Sequence, residues 1–219
     1  MANTQKGRES LQKLMEGVRR FRLEVYPTLA EVYRGAVEEG QKPHTLFITC
    51  ADSRVDPELI TQSGPGELFV TRNIGNLVPT YGEAGSSVSA VIEYAVNALG
   101  VQHIVVCGHT DCGAMKAMLS PGTAAALPTV GMWLRNADAA LSIVKSRKSG
   151  ADDGKEQLAG LIEENVLMQV MHLRTHPSVA GRLDQGDLSL HGWVFDISHG
   201  VVRMHDPEVG RFVSEDQRS

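Results

Sequence analysis

The chain has 219 residues, which suits one large domain or two small ones, and 42% of them are hydrophobic, enough to bury a substantial core. Its 21 basic and 26 acidic residues leave a formal net charge of −5, so it lacks the basic surplus typical of proteins that bind nucleic acid or anionic membranes. The N-terminal residues contain no uninterrupted apolar segment, and no run approaches the roughly 18 apolar residues of a membrane span, so we predict neither a signal peptide nor a membrane segment.

The chain contains three cysteines, Cys50, Cys107 and Cys112. Because the number is odd, they cannot form a fully paired disulfide framework. Three thiols in a chain of this length are typical of a reducing compartment, so we expect a cytoplasmic protein. They are also too few for a zinc site made of four cysteines.

The first 40 residues predict two helices. Between Ser10 and Arg22 the apolar residues recur every three or four positions, as on one face of an amphipathic helix. A second helix is predicted after it, with Pro27 in its first turn and Gly40 at its end. These helices could pack on their own sheet or on a partner chain.

Three short apolar runs rich in β-branched residues predict buried parallel strands. They are Thr45–Cys50, Leu68–Thr71 and His103–Cys107. Helices are predicted between them at Pro57–Gln62 and Ser86–Leu99. This β-α-β-α-β alternation favours a parallel sheet with helices packed against it.

The remaining residues predict further helices and an edge hairpin. We expect helices at Ala114–Leu119, Val130–Val144 and Glu163–Arg174, an exposed loop at Ser146–Gly154, and two strands within Leu188–His205 around a turn. The predicted fold is therefore α/β, with a mostly parallel central β-sheet flanked by helices and a C-terminal edge hairpin. We expect a single domain over residues 1–219, with a helical arm at 1–40, a core carrying the site at 45–120, and helices and edge strands at 128–219.

Two of the predicted parallel strands end in residues that can bind a metal. Cys50 ends the first strand, and His109 and Cys112 follow the third. The carboxyl ends of parallel strands meet at one edge of a sheet, so we expect these side chains to converge. If the turn after Gly108 is helical, His109 and Cys112 point to one side. Two cysteines and a histidine match a catalytic zinc site, whose fourth position stays open for water.

Asp52 and Arg54 lie two and four residues beyond Cys50. Arg54 is predicted to hold Asp52 in its ionised form, which leaves the carboxylate free to accept a hydrogen bond from zinc-bound water or hydroxide. A plain surface ion pair is the alternative interpretation. We expect Asp111 to cap the helix that follows Cys112, and Cys107 to be a buried core residue.

Together these motifs resemble the β-class carbonic anhydrases. The resemblance is carried by Cys50-Ala-Asp-Ser-Arg54 and His109-Thr-Asp-Cys112, and extends to Pro65–Asn76, Ile92–Val96 and Leu190–Val194. It implies reversible hydration of carbon dioxide to bicarbonate and a proton by zinc-bound hydroxide. Zinc (Zn²⁺) would be held by Cys50, His109 and Cys112, and the Asp52–Arg54 pair would orient the hydroxide. In some members of the family the aspartate instead binds zinc as a fourth ligand, in an inactive closed state, and the sequence leaves both states open for Asp52.

The resemblance also implies a substrate pocket and an oligomer. In the plant-like branch an apolar cavity lies beside the zinc, and the matching residues of this chain are Gln41, Phe69, Ile74 and Tyr94, with Gly113 placed beside them. Phe47 stands where the branch with an allosteric bicarbonate site has Trp, so we do not expect that regulation. The family further implies a homodimer that exchanges N-terminal helices, or a dimer of such dimers.

Two other functions remain open from the sequence. Hydrolases of carbon disulfide and carbonyl sulfide share the metal core in this fold, so a different substrate is one alternative. The other is a non-catalytic role, in which zinc or a Cys50–Cys112 disulfide only stabilises the fold.

Overall fold

The computed structural model of the chain describes residues 2–82, 86–120, 122, 126–147 and 154–217. They form two compact units, Met1–Gln41 and Lys42–Ser219. A single domain over residues 1–219 stays a prediction. Within the described ranges, no helix combines the length and apolar character needed to cross a membrane.

The N-terminal unit consists of two helices joined by a π-helical turn. Helix α1 (Ala2–Arg20) continues through Phe21–Val25 into α2 (Tyr26–Glu39), and Gly40 ends it with a φ of 78°. Both predicted helices are confirmed, although α1 begins before Ser10. Residues 4–10 are exposed to solvent, and Nε2 of Gln5 donates to Glu9 one turn later. The apolar residues of α1 are more than half exposed: Leu11, Leu14, Met15 and Val18.

The second unit is built on a six-stranded sheet in the order β2-β1-β3-β4-β5-β6. The strands are β1 (Thr45–Cys50), β2 (Leu68–Asn73), β3 (His103–His109), β4 (Ser189–Asp196), β5 (Val201–Asp206) and β6 (Arg211–Ser214). The first four pair in parallel, whereas β5 pairs antiparallel with β4 and with β6. The predicted α/β fold with a mostly parallel sheet and an edge hairpin is therefore confirmed.

The helices of this unit are α3 (Pro57–Thr61), α4 (Ser87–Glu93), α5 (Gly113–Leu119), α6 (Pro128–Leu134), α7 (Asp138–Ser146), α8 (Gly154–Leu173) and α9 (Pro177–Asp184). A π-helical turn, Tyr94–Ala98, extends α4. Helix α9 and strand β6 were not predicted. Strand β6 has only four residues, too few to show an alternating pattern.

Two predicted segments differ from the structure. The helix expected over Val130–Val144 is broken into α6 and α7 by a 3-10 turn, Arg135–Ala137. A hydrogen bond satisfies the backbone at this break: the carbonyl oxygen of Asn136 accepts from the buried Gln169 side chain at 3.1 Å. Most of the loop expected at Ser146–Gly154, namely residues 148–153, lies outside the described residues.

Helix α8 packs unusually closely on the sheet because two strand glycines face one valine. A Cβ on Gly108 of β3 would lie 2.8 Å from Cγ2 of Val166, and a Cβ on Gly192 of β4 would lie 2.9 Å from its Cγ1. Val166 is fully buried. The lack of side chains at both glycines therefore sets how near α8 approaches the strand that ends in His109.

Gly108→Ala is expected to lower the free energy of unfolding by about 1–3 kcal/mol, because the new methyl group overlaps Val166 in a closely packed core. Val166→Ala removes the overlapping atoms, so the double variant should be more stable than the sum of the two single losses predicts. Urea unfolding of the four proteins measures this coupling. Strictly additive losses would show that the 2.8 Å approach does not limit packing.

Candidate metal centre

The candidate site lies where β1 and β3 end side by side. The parallel register pairs Thr49 with Cys107, so Cys50 and His109 both reach the same edge of the sheet. Cys112 follows a two-residue turn and is the N-cap of α5. The chain reverses at Asp111, which has a φ of 64°.

This turn corrects one sequence prediction. The segment after Gly108 is not helical, because β3 continues to His109 and α5 begins only at Gly113. His109 and Cys112 therefore converge through a strand end and a left-handed turn at Asp111, and not through helical spacing. The prediction that they point to one side holds for a different reason from the one expected.

The three side chains form a compact group of possible metal ligands. The Sγ atoms of Cys50 and Cys112 and a ring nitrogen of His109 all lie within 4.8 Å of one another. All three residues are buried, and both thiols are free. The predicted convergence is therefore present, and the Cys50–Cys112 disulfide is not formed.

The hydrogen bonding of His109 fits a metal ligand. Its Nδ1 lies 2.9 Å from the carbonyl oxygen of Thr110, which can only accept, so Nδ1 carries the proton. Nε2 then presents its lone pair towards the two cysteines. This atom is fully buried and has no hydrogen-bond partner among the described residues. A buried, orphaned imidazole nitrogen beside two thiols suits a soft divalent cation such as zinc.

The two thiols also favour a cation between them. Hydrogen bonding from the Cys112 thiol, and then from the N–H groups of Gly75 and Asp52, lowers the pKa of the Cys50 thiol, although burial acts in the opposite direction. The hydrogen bond that the Cys112 thiol makes to Cys50, then burial and the negative charge on Cys50, raise the pKa of Cys112, although the N–H groups of Met115 and Ala114 at the start of α5 act in the opposite direction. The pair therefore carries one thiolate readily, and a bound cation would favour the second.

Asp52 and Arg54 form a closely held pair beside this group. Arg54 donates from Nε to Oδ1 of Asp52 at 2.9 Å and from Nη2 to Oδ2 at 2.8 Å. Its backbone N–H donates to Oδ1 as well, at 3.0 Å. These bonds hold the pKa of Asp52 well below its usual range. Oδ2 lies 3.9 Å from Nε2 of His109, so the ionised carboxylate stands next to the candidate ligands.

The contacts that Arg72 and Asp111 make with this pair were not predicted. Arg72 on β2 donates to the carbonyl oxygen of Cys50 at 3.2 Å and to that of Asp52 at 2.6 Å, which braces the main chain between them. Asp111 was expected to cap α5, and that prediction is wrong. Cys112 takes the N-cap position, and the Asp111 carboxylate instead accepts from Nη1 of Arg54 at 3.0 Å and pairs with Lys116.

The residues predicted to line the substrate pocket are only partly brought together. The rings of Phe69 and Tyr94 are in contact, with centroids 5.9 Å apart. Ile74 follows β2 directly, and Gly113 follows Cys112. Ile74 and Tyr94 are 43% and 50% exposed. Gln41 is the last residue of the N-terminal unit, and its place in the pocket stays a prediction.

Comparison with known proteins gives consistent matches over nearly the whole chain. The family described as "Carbonic anhydrase" matches residues 45–202. A carbonic anhydrase of Pseudomonas aeruginosa is 46% identical over 204 residues, covering 93% of this chain and 91% of that protein.

Solved structures agree. The β-carbonic anhydrase CcaA is 41% identical, with a TM-score of 0.90 over 94% of this chain and 99% of its own. One of two tetrameric β-carbonic anhydrases from Sordaria macrospora is 29% identical, with a TM-score of 0.70 over 96% of this chain and 99% of its own.

Proposed function

The chain belongs to the β-class carbonic anhydrases, and from this membership we propose that it catalyses the reversible hydration of carbon dioxide to bicarbonate and a proton at a zinc ion. The observation that carries the proposal is the buried Cys50–His109–Cys112 group with the ionised Asp52 beside it, 3.9 Å from Nε2 of His109. Membership of the family indicates the reaction, and this group of residues is the candidate site for it.

Cys50, Cys112 and Nε2 of His109 would hold the ion. Three protein ligands of this kind leave one coordination position open, as in catalytic zinc sites. When bound, zinc supplies Lewis-acid activation that makes water nucleophilic near neutral pH. The hydrogen bond from Nδ1 of His109 to Thr110 fixes the ring orientation and leaves Nε2 as the donor atom.

Asp52 would act on the attacking water as a hydrogen-bond acceptor. An ionised carboxylate has no proton to donate, so a water molecule bonded to it must point a hydrogen at Asp52 and turn a lone pair towards the substrate carbon. Arg54 makes this possible because its two side-chain bonds keep Asp52 ionised and restrict its rotation. Arg54 thus serves as the positioning partner of Asp52.

The substrate would occupy an apolar pocket formed by Phe69, Ile74, Tyr94 and Gly113, with the Gln41 amide donating to the oxygen that gains negative charge. The ring contact between Phe69 and Tyr94 supports this arrangement. A pocket of this kind suits a small, neutral, linear molecule. The identities of these residues and of Phe47 support the proposal that the chain belongs to the plant-like branch without an allosteric bicarbonate site.

We also propose that the protein is a cytoplasmic homodimer or a dimer of dimers. The exposed apolar residues of α1, namely Leu11, Leu14, Met15 and Val18, favour a covered helix face. The structural neighbour from Sordaria macrospora is tetrameric. Light scattering should therefore give two or four times the chain mass of 23.7 kDa. The three free thiols support a reducing compartment.

Stopped-flow measurement of carbon dioxide hydration tests the proposed reaction. The zinc-loaded protein should accelerate proton release far above the buffer background, and removal and return of zinc should abolish and restore the rate. Zinc-loaded protein with no rate above background would contradict the proposal and favour a purely structural metal. Sulfide release from carbon disulfide without carbon dioxide hydration would instead indicate the hydrolase alternative.

A further inference from the structure

A loop between β2 and α4 reaches the metal centre through a single peptide group. The loop begins with the turn Ile74–Asn76, in which Gly75 has a φ of 79°. In the parallel register Asn73 lies opposite Cys50, which brings the N–H of Gly75, two residues further on, towards the Cys50 sulfur, and this N–H lowers the pKa of the Cys50 thiol. A side chain at Gly75 would also crowd α5, because a Cβ there would lie 3.1 Å from Cβ of Ala114. Glycine therefore lets this peptide come close to the sulfur.

The same peptide group is held at its other end by Trp133. Its indole Nε1 donates to the carbonyl oxygen of Ile74 at 2.8 Å. That carbonyl and the N–H of Gly75 belong to one peptide unit, so Trp133 and Cys50 bond its opposite ends. A peptide that accepts at its oxygen becomes a stronger donor at its nitrogen, because the two hydrogen bonds polarise each other.

Two buried side-chain amides on α8, those of Asn165 and Gln169, hold the Gly75–Asn76 peptide in place. Asn165 is 1% exposed, and its Nδ2 donates to the carbonyl oxygen of Gly75 at 3.1 Å. Gln169, which is fully buried, donates to Oδ1 of Asn165 at 2.9 Å and accepts from the N–H of Val78 at 2.8 Å. Burying an amide that lacks hydrogen bonds lowers the stability of the folded state, so these two side chains hold the loop rigidly against α8.

We propose that Trp133 and Asn165 position the Ile74–Gly75 peptide as a hydrogen-bond donor to the sulfur of Cys50 and thereby set how strongly that sulfur donates electrons to the metal. The inference rests on the proposed zinc site. Both residues would act on the metal centre through the hydrogen bonds that they make to this loop, so both are positioning residues. Because a hydrogen bond to a thiolate withdraws electron density from it, loss of either residue should leave a more electron-rich sulfur.

Trp133→Phe and Asn165→Leu test this inference. Trp133→Phe keeps an aromatic ring and removes the indole N–H together with part of the ring volume. Trp193→Phe is its matched control, since Nε1 of Trp193 is buried and has no hydrogen-bond partner among the described residues. Leu161→Ala is the control for Asn165→Leu, because it opens a cavity in the same helix without removing a hydrogen bond.

Two readouts are independent of catalysis. The first is the sulfur-to-metal charge-transfer band of the cobalt-substituted protein, and the second is zinc affinity measured by competition with a chromophoric chelator. Both test variants should shift the band to longer wavelength, because the sulfur is more electron-rich. Both should also bind zinc about 10- to 100-fold more weakly, because the loop no longer holds Cys50 in place for the ion. The two controls should keep the wild-type band and an affinity near that of the wild type.

An unshifted band in Trp133→Phe would overturn the inference, as would equal losses in the test variants and their controls. If Asn165→Leu does not fold, Trp133→Phe alone decides. A wild-type protein that binds metal but does not hydrate carbon dioxide would contradict the proposed function, while the band and affinity still decide the positioning role. A wild-type protein that binds neither cobalt nor zinc would overturn both.

Discussion

Cys112→Ala is expected to abolish carbon dioxide hydration and the binding of stoichiometric zinc. Cys112 supplies one of three ligand atoms that lie within 4.8 Å of one another, and two remaining ligands do not make a stable zinc site. Since the reaction depends on the metal, the rate should fall by roughly three orders of magnitude or more. Metal analysis and stopped-flow hydration on the same preparation measure both effects.

Cys107→Ala is the matched control, because it makes the same chemical change at a buried cysteine outside the site. Burial raises the pKa of Cys107 to about 12, so its thiol stays neutral and is unsuited to bind a cation. This variant should keep its zinc and its activity, with at most a loss of stability. Full zinc content in Cys112→Ala, or loss of zinc in Cys107→Ala, would contradict the proposed ligand set.

Asp52→Asn is expected to lower kcat by about 100- to 10,000-fold while the zinc content stays unchanged. The amide no longer carries the charge that Arg54 grips with two side-chain bonds, and its NH₂ group can face the water as a donor. Orientation of the water would therefore be lost. KM should change little, because the substrate is neutral and does not pair with the carboxylate.

Asp56→Asn controls for the loss of one negative charge in the loop that carries Asp52. Asp56 caps α3 by accepting from the N–H of Leu59 at 3.2 Å, and asparagine caps a helix equally well. We expect wild-type kcat in this variant. An Asp52→Asn protein with zinc bound and kcat within a few-fold of the wild type would show that the Asp52–Arg54 pair is only structural.

The general plan of the site follows from the sequence because parallel strands carry a strong signal. The apolar runs that end at Cys50 and precede His109 are long enough to be recognised as buried strands, and parallel strand ends must share an edge. Cys50, His109 and Cys112 are thus predicted to meet even though the intervening chain is long. The position of Asp52 beside them follows from its nearness to Cys50.

The local geometry of His109 and Cys112 could not be predicted from the sequence. The pattern His109-Thr-Asp-Cys112 fits a helical turn as well as a strand end, and only the left-handed conformation of Asp111 distinguishes them. Aspartate favours helix N-caps, so the Asp111 side chain is expected to accept a hydrogen bond from the first N–H groups of α5. In the structure, the Asp111 carboxylate instead forms ion pairs with Arg54 and Lys116, each of which carries a full positive charge.

The role of the two side-chain amides that hold Gly75 also could not be predicted from the sequence. Asn165 and Gln169 are polar residues four apart on a helix, a pattern typical of a solvent-exposed face. They are buried because partners far away in the chain, including the carbonyl of Gly75 and the N–H of Val78, satisfy their hydrogen bonds. Contacts across about 90 residues leave no local pattern.

A crystal structure with anomalous scattering measured at the zinc edge tests the central claim most directly. The account predicts one zinc peak per chain, about 2.3 Å from each sulfur of Cys50 and Cys112 and about 2.1 Å from Nε2 of His109, with Asp52 still bonded to Arg54. Absence of the peak, a Cys50–Cys112 disulfide, or an Asp52 carboxylate turned onto the ion in place of water would contradict it.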